Sequence, residues 1–418
     1  MDGWVGGWFA HLLVCLLVCL LAHLLICSFA HLLIHRFIEL PQFLHPDDVE
    51  SNGSILIYRS EVLPDNRWAP FEIGVSLFCN NDFSRPIIIS VYQYAKNGKH
   101  VLQGSTRTNT SDFCKSTNLQ LQLCNGASNG SIYVSQAACI TQPSFLQFVK
   151  SGLDLNFMVA IDFTASNGSY DAVGTLHYYN TESFRRGNLN SYEKAITLVG
   201  NVLEYYDTDK KFPTYGFGAC IDQSTTTSHC FALNRNEDDP EVDGIRGILD
   251  AYHAIIPQIR FKGPTLFSNV LKKAIQCVLL AALTRRNAVD IQEEKSKYLV
   301  LLIITDGCID DFDSTTQLIV DGADYPLSIL IVGVGSANFE KMDVLDGNDK
   351  RLSYGGKVAS RDIVKFVALN AIKDRTPQEI AKTLLEEIPR QVVDYMKANG
   401  ITPELIADLK SKETASTV

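Results

Sequence analysis

The chain has 418 residues, 46% of them hydrophobic and 20% charged, with a net charge of −10 at pH 7. That length and apolar content supply more than one core, and the acidic balance, with no basic face legible, sets aside a nucleic-acid partner. Among the eleven cysteines there is no C-x-x-C pair and no zinc spacing, so they read as free thiols of a reducing compartment rather than a disulfide framework.

The first element is an apolar, repetitive segment over residues 1–40. Trp8 to Ile34 contains no Asp, Glu, Lys or Arg, and the unit Ala-His-Leu-Leu recurs at Ala10–Leu13, Ala22–Leu25 and Ala30–Leu33. As a helix it would rise ~40 Å against a hydrocarbon core of ~30 Å. Three readings stay open: a transmembrane or signal-anchor helix, a cleaved signal peptide, and a predicted-gene artefact. If the helix spans, Asp2 before it and Arg36 after it favour a cytoplasmic body held at a membrane, the plasma membrane included.

Residues 52–142 read as all-β. Ser54–Tyr58 and Pro86–Tyr94 are short runs rich in Ile, Val and Tyr, bounded by turn residues such as Asn80-Asn81-Asp82 and Asn97-Gly98. From about Ser144 the pattern changes to alternating strands and helices, which implies a parallel sheet covered on both faces. Asn190 with Glu193 caps a helix whose apolar face is Ile196, Val199 and Leu203. Phe212–Phe217, Tyr298–Thr305 and Leu327–Val334 read as buried strands, and Gly244–Ile256 and Leu266–Leu283 as helices. Thr376, Pro377 and Glu379 start a last helix, which Pro389 should bend and Gly400 should end, leaving 404–418 as a flexible tail. The fold class expected is therefore α/β, a doubly wound, mostly parallel sheet, preceded by a partial β sandwich and the apolar helix.

The chemistry sits where strands end. In Val159-Ala-Ile-Asp-Phe-Thr-Ala-Ser-Asn167 the side chains of Asp162, Thr164 and Ser166 alternate along extended backbone and so share one side. An open α/β sheet places ligands at the carboxyl edge of its strands, and all three groups offer the oxygen that Mg²⁺ or Ca²⁺ prefers. Asp306-Gly307 closes the strand Tyr298–Thr305 with a second carboxylate. Thr265 lies in a loop, Gly263-Pro264-Thr265, just before a helix. Asp310, Asp311 and Asp313 lack EF-hand spacing and read as a solvated acidic rim. Gly333-Val-Gly335 lacks the third glycine of a dinucleotide fingerprint and reads as a tight strand exit. Four Asn-x-Ser/Thr sequons, at Asn52, Asn109, Asn129 and Asn167, would count only outside the cytosol.

The triple constellation of loops resembles the metal-ion-dependent adhesion site of von Willebrand A domains. The resemblance implies that Asp162, Thr164, Ser166, Thr265 and Asp306 surround one divalent ion, Mg²⁺ or in its place Mn²⁺ or Ca²⁺. A closer likeness is carried by Val159–Gly168, Gly216-Phe-Gly-Ala219, Gly247–His253, Leu301-Leu-Ile-Ile-Thr-Asp-Gly307, Ile331-Val-Gly-Val-Gly335, Arg361–Val367 and Glu387–Met396. These resemble the A domain of copines, from about 144 to 403. Trp68–Ile73, Leu77–Asp82 and Val91–His100 resemble later strands of the second copine C2 domain, with its opening strands lacking a counterpart. Copines are described as calcium-dependent phospholipid-binding proteins whose A domain recruits protein partners. They generally carry Asp where Gln93, Ala95 and Val101 stand here, so no ordinary C2 calcium site is expected.

The resemblance implies a membrane-associated adaptor. Its partners would be proteins that present an acidic residue to the ion, and, by family, membrane phospholipid. No nucleophile–base–orienter set is readable, so the chain is expected not to be an enzyme. An extracellular, membrane-anchored adhesion receptor using the same ion site is the alternative, and glycosylation at Asn52, Asn109 or Asn129 would select it. A metal-dependent hydrolase would need a second carboxylate-bound metal close to the first.

Overall fold

The computed structural model describes the strands 14–21 and 36–43 and, with short gaps and without 284–295, residues 54–416. The chain divides into two units, Met1–Ser144 and Phe145–Val418.

The first unit is a β sandwich of two four-stranded sheets. In one, Val14–Leu21 lies between Phe71–Gly74 and Ser131–Thr141, with Leu119–Gln122 at the far edge. In the other, Arg36–Phe43 lies between Ser54–Arg59 and the hairpin Pro86–Gln93/Val101–Asn109. This corrects the expectation of an N-terminal transmembrane helix. Val14–Leu21 is a strand paired antiparallel along its whole length with Ser131–Thr141, from Val14 opposite Thr141 to Leu21 opposite Tyr133. A charge-free apolar run has no period to separate helix from buried strand, and its partner lies over a hundred residues away. The same pairing fills the positions that made the sandwich look partial. The rest of Trp8–Ile34 lies outside the described residues. Among the described residues no helix is long and apolar enough to cross a membrane. Ile87, Ile89 and Val91, alternate residues of one strand, enter a core with Trp68, Phe78, Phe113, Ile132 and Val134.

The second unit is the doubly wound sheet that the alternating pattern implies. Its order is Phe231–Ala232, Lys211–Phe217, Asp154–Asp162, Lys297–Thr305, Leu327–Gly333, Val364–Ala368, with Glu241–Asp243 pairing at the Lys211 strand. The five longer strands run parallel, and the two short strands that pair with the Lys211 strand are antiparallel. Two cores form on its two faces because side chains alternate. Phe157, Val159 and Ile161 pack with Tyr192, Ile196 and Val199. Met158 and Ala160 pack with Phe267, Val270 and Ala274 on the other side. From Asp154–Asp162 the chain winds out to the Lys211 strand, then returns to lay Lys297–Thr305 on the opposite side. The order thus reverses between the Asp162 and Thr305 strands, and a crevice opens there at their carboxyl ends.

The helix caps form as read: Asn190/Glu193 and Thr376/Glu379 both make reciprocal capping boxes. Pro389 does more than bend its helix. Pro377–Leu384 and Ile388–Ala398 are separate helices, with Pro389 in the first turn of the second, where its missing N–H is harmless. The segment expected as a flexible tail is helical over Pro403–Ser416. It buries Ile406 and Leu409, and Lys410 Nζ reaches Asp154 Oδ2 at 2.6 Å. Gly333 and Gly335 mark a strand exit. A Cβ on Gly333 would stand 2.7 Å from the Phe339 ring, and Gly335 has φ +80°. All seven cysteines with described side chains are free thiols.

Candidate metal centre

Asp162 is the last residue of its strand, and the chain then turns through a single 3₁₀ turn, Ala165–Asn167. That turn folds three oxygens over the strand end. Asp162 Oδ1 accepts from the Thr164 backbone N–H at 2.8 Å and from Thr164 Oγ1 at 2.6 Å. Thr164 Oγ1 and Ser166 Oγ are 3.0 Å apart, and Ser166 Oγ donates to Asp306 Oδ1 at 3.0 Å. A continuous chain of polar contacts therefore joins Asp162 to Asp306, its last link, Ser166 to Asp306, spanning 140 residues of sequence. Asp162, Thr164, Thr265 and Asp306 are all buried, whereas Ser166 is exposed at the rim.

The third loop joins through its backbone. Lys262 O accepts from Ala165 N at 2.6 Å, which ties the loop to the Asp162 turn. Thr265 N donates to Asp310 Oδ2 at 2.8 Å, and Asp310 N returns a bond to Thr265 O at 2.9 Å. Asp311 accepts from the N–H groups of Phe267 and Ser268, at 3.1 and 2.9 Å. Asp310 is exposed at the rim as read and Asp311 is half-buried, but both also brace the Thr265 loop against the Asp306 loop. Asp313 is exposed. All five residues picked from the sequence stand on three loops that meet at one rim.

Several supports were not anticipated. Thr305 Oγ1 donates to Asp162 Oδ2 at 2.6 Å, so a hydroxyl ending an otherwise apolar strand was the readable sign. Asn167 Nδ2 donates to Thr164 O, and Tyr192 OH donates to Asn167 Oδ1 at 2.7 Å. Asn167 is therefore buried and engaged, and a glycan on it would break the Tyr192 bond. His177 Nε2 lies 2.8 Å from the Asp162 carbonyl, which can only accept, so Nε2 carries the proton. Nδ1 then accepts from Tyr252 OH at 2.7 Å, and Asn190 Nδ2 donates to that hydroxyl at 3.2 Å. These contacts fix the backbone beneath Asp162 from two helices.

The electrostatics are those of a site short of positive charge. Burial, and then the Asp306 charge, push the Asp162 carboxyl up to about 7, against the opposing bonds from Thr164 and Thr305. Burial raises Asp306 as well. Burial holds His177 neutral, down to about 3. No Lys or Arg pairs with either carboxylate among the described residues. Two buried carboxylates and a set of neutral hydroxyls, with nothing cationic between them, form an all-oxygen set that suits a hard divalent ion. Among the described residues no group of three or more His, Cys, Asp and Glu side chains is spaced for a metal, so softer, cluster-type sites have no counterpart.

A parallel doubly wound sheet with three such loops at its switch point is a von Willebrand A-type domain, here following a C2-like sandwich. The Copine family model matches residues 175–404, more than half of the chain, and the chain belongs to that family. Protein BONZAI 2 of Arabidopsis thaliana is 40% identical over 373 residues, covering 85% of this chain and 61% of the relative. The chain thus spans about three-fifths of the length of that curated relative. Among solved structures, BON1-C2B is matched over all of its length and 32% of this chain, at 17% identity and a TM-score of 0.26. Manganese-loaded Plasmodium vivax TRAP is matched over 70% of its length and 53% of this chain, at 10% identity and a TM-score of 0.31.

Proposed function

We propose that this chain is a membrane-associated adaptor that captures partner proteins through a divalent ion held in its A domain by Asp162, Thr164, Ser166, Thr265 and Asp306. The observation that carries this reading is the unbroken chain of contacts Asp162–Thr164–Ser166–Asp306, with both carboxylates raised and neither paired with a cation among the described residues. Mg²⁺, or Mn²⁺ in its place, supplies residual positive charge and an exchangeable water position that an acidic side chain of a partner can take. The chain's own residues prepare that position. Thr305 and Thr164 aim the two oxygens of Asp162, and Asn167 with Tyr192 fixes the turn that carries Ser166 to the surface. Three of the five donors are neutral hydroxyls, so Thr164, Ser166 and Thr265 would hold an ion without adding negative charge beyond that of the two carboxylates.

The role is one of binding, and membrane association is its natural setting by family. Isothermal titration of the full chain with Mn²⁺ and Mg²⁺ tests the site. Saturable binding at one site is expected, and Asp162→Ala, checked for folding by circular dichroism, is expected to lose it. Unchanged ion affinity in the folded variant would refute the assignment.

A further inference from the structure

The hairpin at the tip of the C2-like sandwich carries charge of the opposite sign to the chain as a whole. Between Asp82 and Asp112 there is no acidic residue, while Lys96 and Lys99 stand at the turn and Arg85 and Arg107 towards the far end of the hairpin. The tip itself is built rather than loose. Gly98 N donates to Ala95 O at 3.0 Å, Ala95 N to His100 Nδ1 at 3.1 Å, and Lys99 N to Asn97 Oδ1 at 3.1 Å. Tyr94 stacks on His100 with ring centroids 5.3 Å apart. This frame leaves Lys96 and Lys99 exposed, flanked by Tyr94 at 40% and Val101 at 48% exposure. Two ammonium groups beside an exposed aromatic ring and an exposed isopropyl group make an amphipathic tip.

The surroundings do not cancel it. The adjoining loop 124–130, whose Ala127 N donates to Leu102 O at 3.2 Å, contains no charged residue. Strand register brings Arg36 opposite Gln93 and Arg59 opposite Glu39, and the exposed Glu61 follows two residues after Arg59. A calcium-loaded tip needs carboxylates to hold the ion between protein and lipid, and this one has an amide at Gln93 and methyl and isopropyl groups at Ala95 and Val101.

We propose that the tip of this hairpin, through Lys96 and Lys99 with Tyr94 and Val101, docks on an anionic bilayer surface without calcium. The inference rests on the membrane association proposed above and gives it a different physical basis. A lysine near an anionic surface contributes about 1 kcal/mol, so neutralising each should weaken binding about fivefold and both together about thirtyfold. Attraction of this kind is screened within about 10 Å at 0.1 M salt and more sharply above it.

The test is sedimentation of the full chain with vesicles of 80% phosphatidylcholine and 20% phosphatidylserine in EGTA. Expected are binding in EGTA, less than a twofold change on adding calcium, release at 0.5 M NaCl, and no competition from soluble phosphoserine. Lys96→Gln/Lys99→Gln should lose about thirtyfold. Binding that needs calcium, or that survives in the double lysine variant, overturns this inference and leaves membrane association standing. A wild-type chain that sediments with no vesicle, with or without calcium, overturns both. The substituted side chains are exposed, so an unchanged thermal melt certifies the variants. Should the pair fail that check, Lys96→Gln alone carries the same prediction at about fivefold.

Discussion

Asp162→Asn is expected to stabilise the ion-free domain at pH 8 while removing its response to Mg²⁺. The sign follows from where the carboxyl titrates. Asp162 rises from 3.8 to about 7 on folding, because it is buried and faces Asp306. The folded state therefore holds this proton more tightly than the unfolded one. The stability it contributes is complete below pH 3.8 and lost as pH rises through about 7, a difference on the order of 4 kcal/mol. His177 acts in the opposite sense. Its folded value is depressed to about 3 from 6.5, so its contribution is complete above 6.5 and lost as pH falls through 3. The two slopes largely offset each other between pH 4 and 6.5, and the Asp162 contribution is read as wild type minus variant. Thermal melts from pH 4 to 8 should show that difference growing with pH without metal. Saturating Mg²⁺ should shrink it, since an ion bound to the native state alone stabilises by mass action. A wild-type melt that ignores both the substitution and Mg²⁺ at pH 8 would contradict the electrostatic reading.

The largest loss of stability is expected at Arg361. Its guanidinium is buried, has no carboxylate partner among the described residues, and is satisfied by five oxygens from three stretches of chain. Nε donates to Ala323 O at 3.0 Å, and Nη1 to Tyr298 OH at 2.9 Å and Gln391 O at 3.3 Å. Nη2 donates to Leu327 O at 2.8 Å and to Tyr325 O. The same group lies over the rings of Tyr298 and Tyr395, at 5.7 and 5.2 Å. Removing it leaves several carbonyls unpaired beside a cavity, which typically costs about 3–5 kcal/mol. Arg361→Lys recovers only part, because one ammonium cannot span a fork of acceptors. Urea denaturation reads the loss, and ion affinity measured below the transition should stay near wild type. A loss under about 1 kcal/mol would mean that water replaces these contacts.

How much of this was legible depends on how local the cause is. Tyr298–Thr305 was readable because a continuous apolar run of strand length suits a sheet covered on both faces, and the observed strand differs only by including Lys297. Asp162, Thr164 and Ser166 were readable because alternation along one strand is a local rule, and Asp306 because it terminates another strand. Thr305 was signalled only by a hydroxyl ending an apolar strand, and Asn167, His177, Asp310 and Asp311 were not readable, since each acts through a contact made across the chain. Asp310 and Asp311 are the clearest case. As a charge cluster they look like a solvated rim, and only the return of the Thr265 loop gives them donors.

The N-terminal run fails for a related reason. Val14–Leu21 has no polar residue to mark a face, so composition favours a spanning helix. Its strand state is decided by Phe71–Gly74 and Ser131–Thr141, which supply the backbone partners on both sides. Pro403–Ser416 was hidden differently. Its polar sequence hardly concentrates its apolar residues, yet Ile406 and Leu409 find a place in the core and hold it down.

The most direct test of the central claim is an anomalous difference map at the manganese edge from crystals of the full chain grown with Mn²⁺. One strong peak should lie among Asp162, Ser166 and Asp306, and it should vanish in crystals of Asp162→Ala. A map with no peak there, or a Lys or Arg side chain seated between the two carboxylates, would contradict the account.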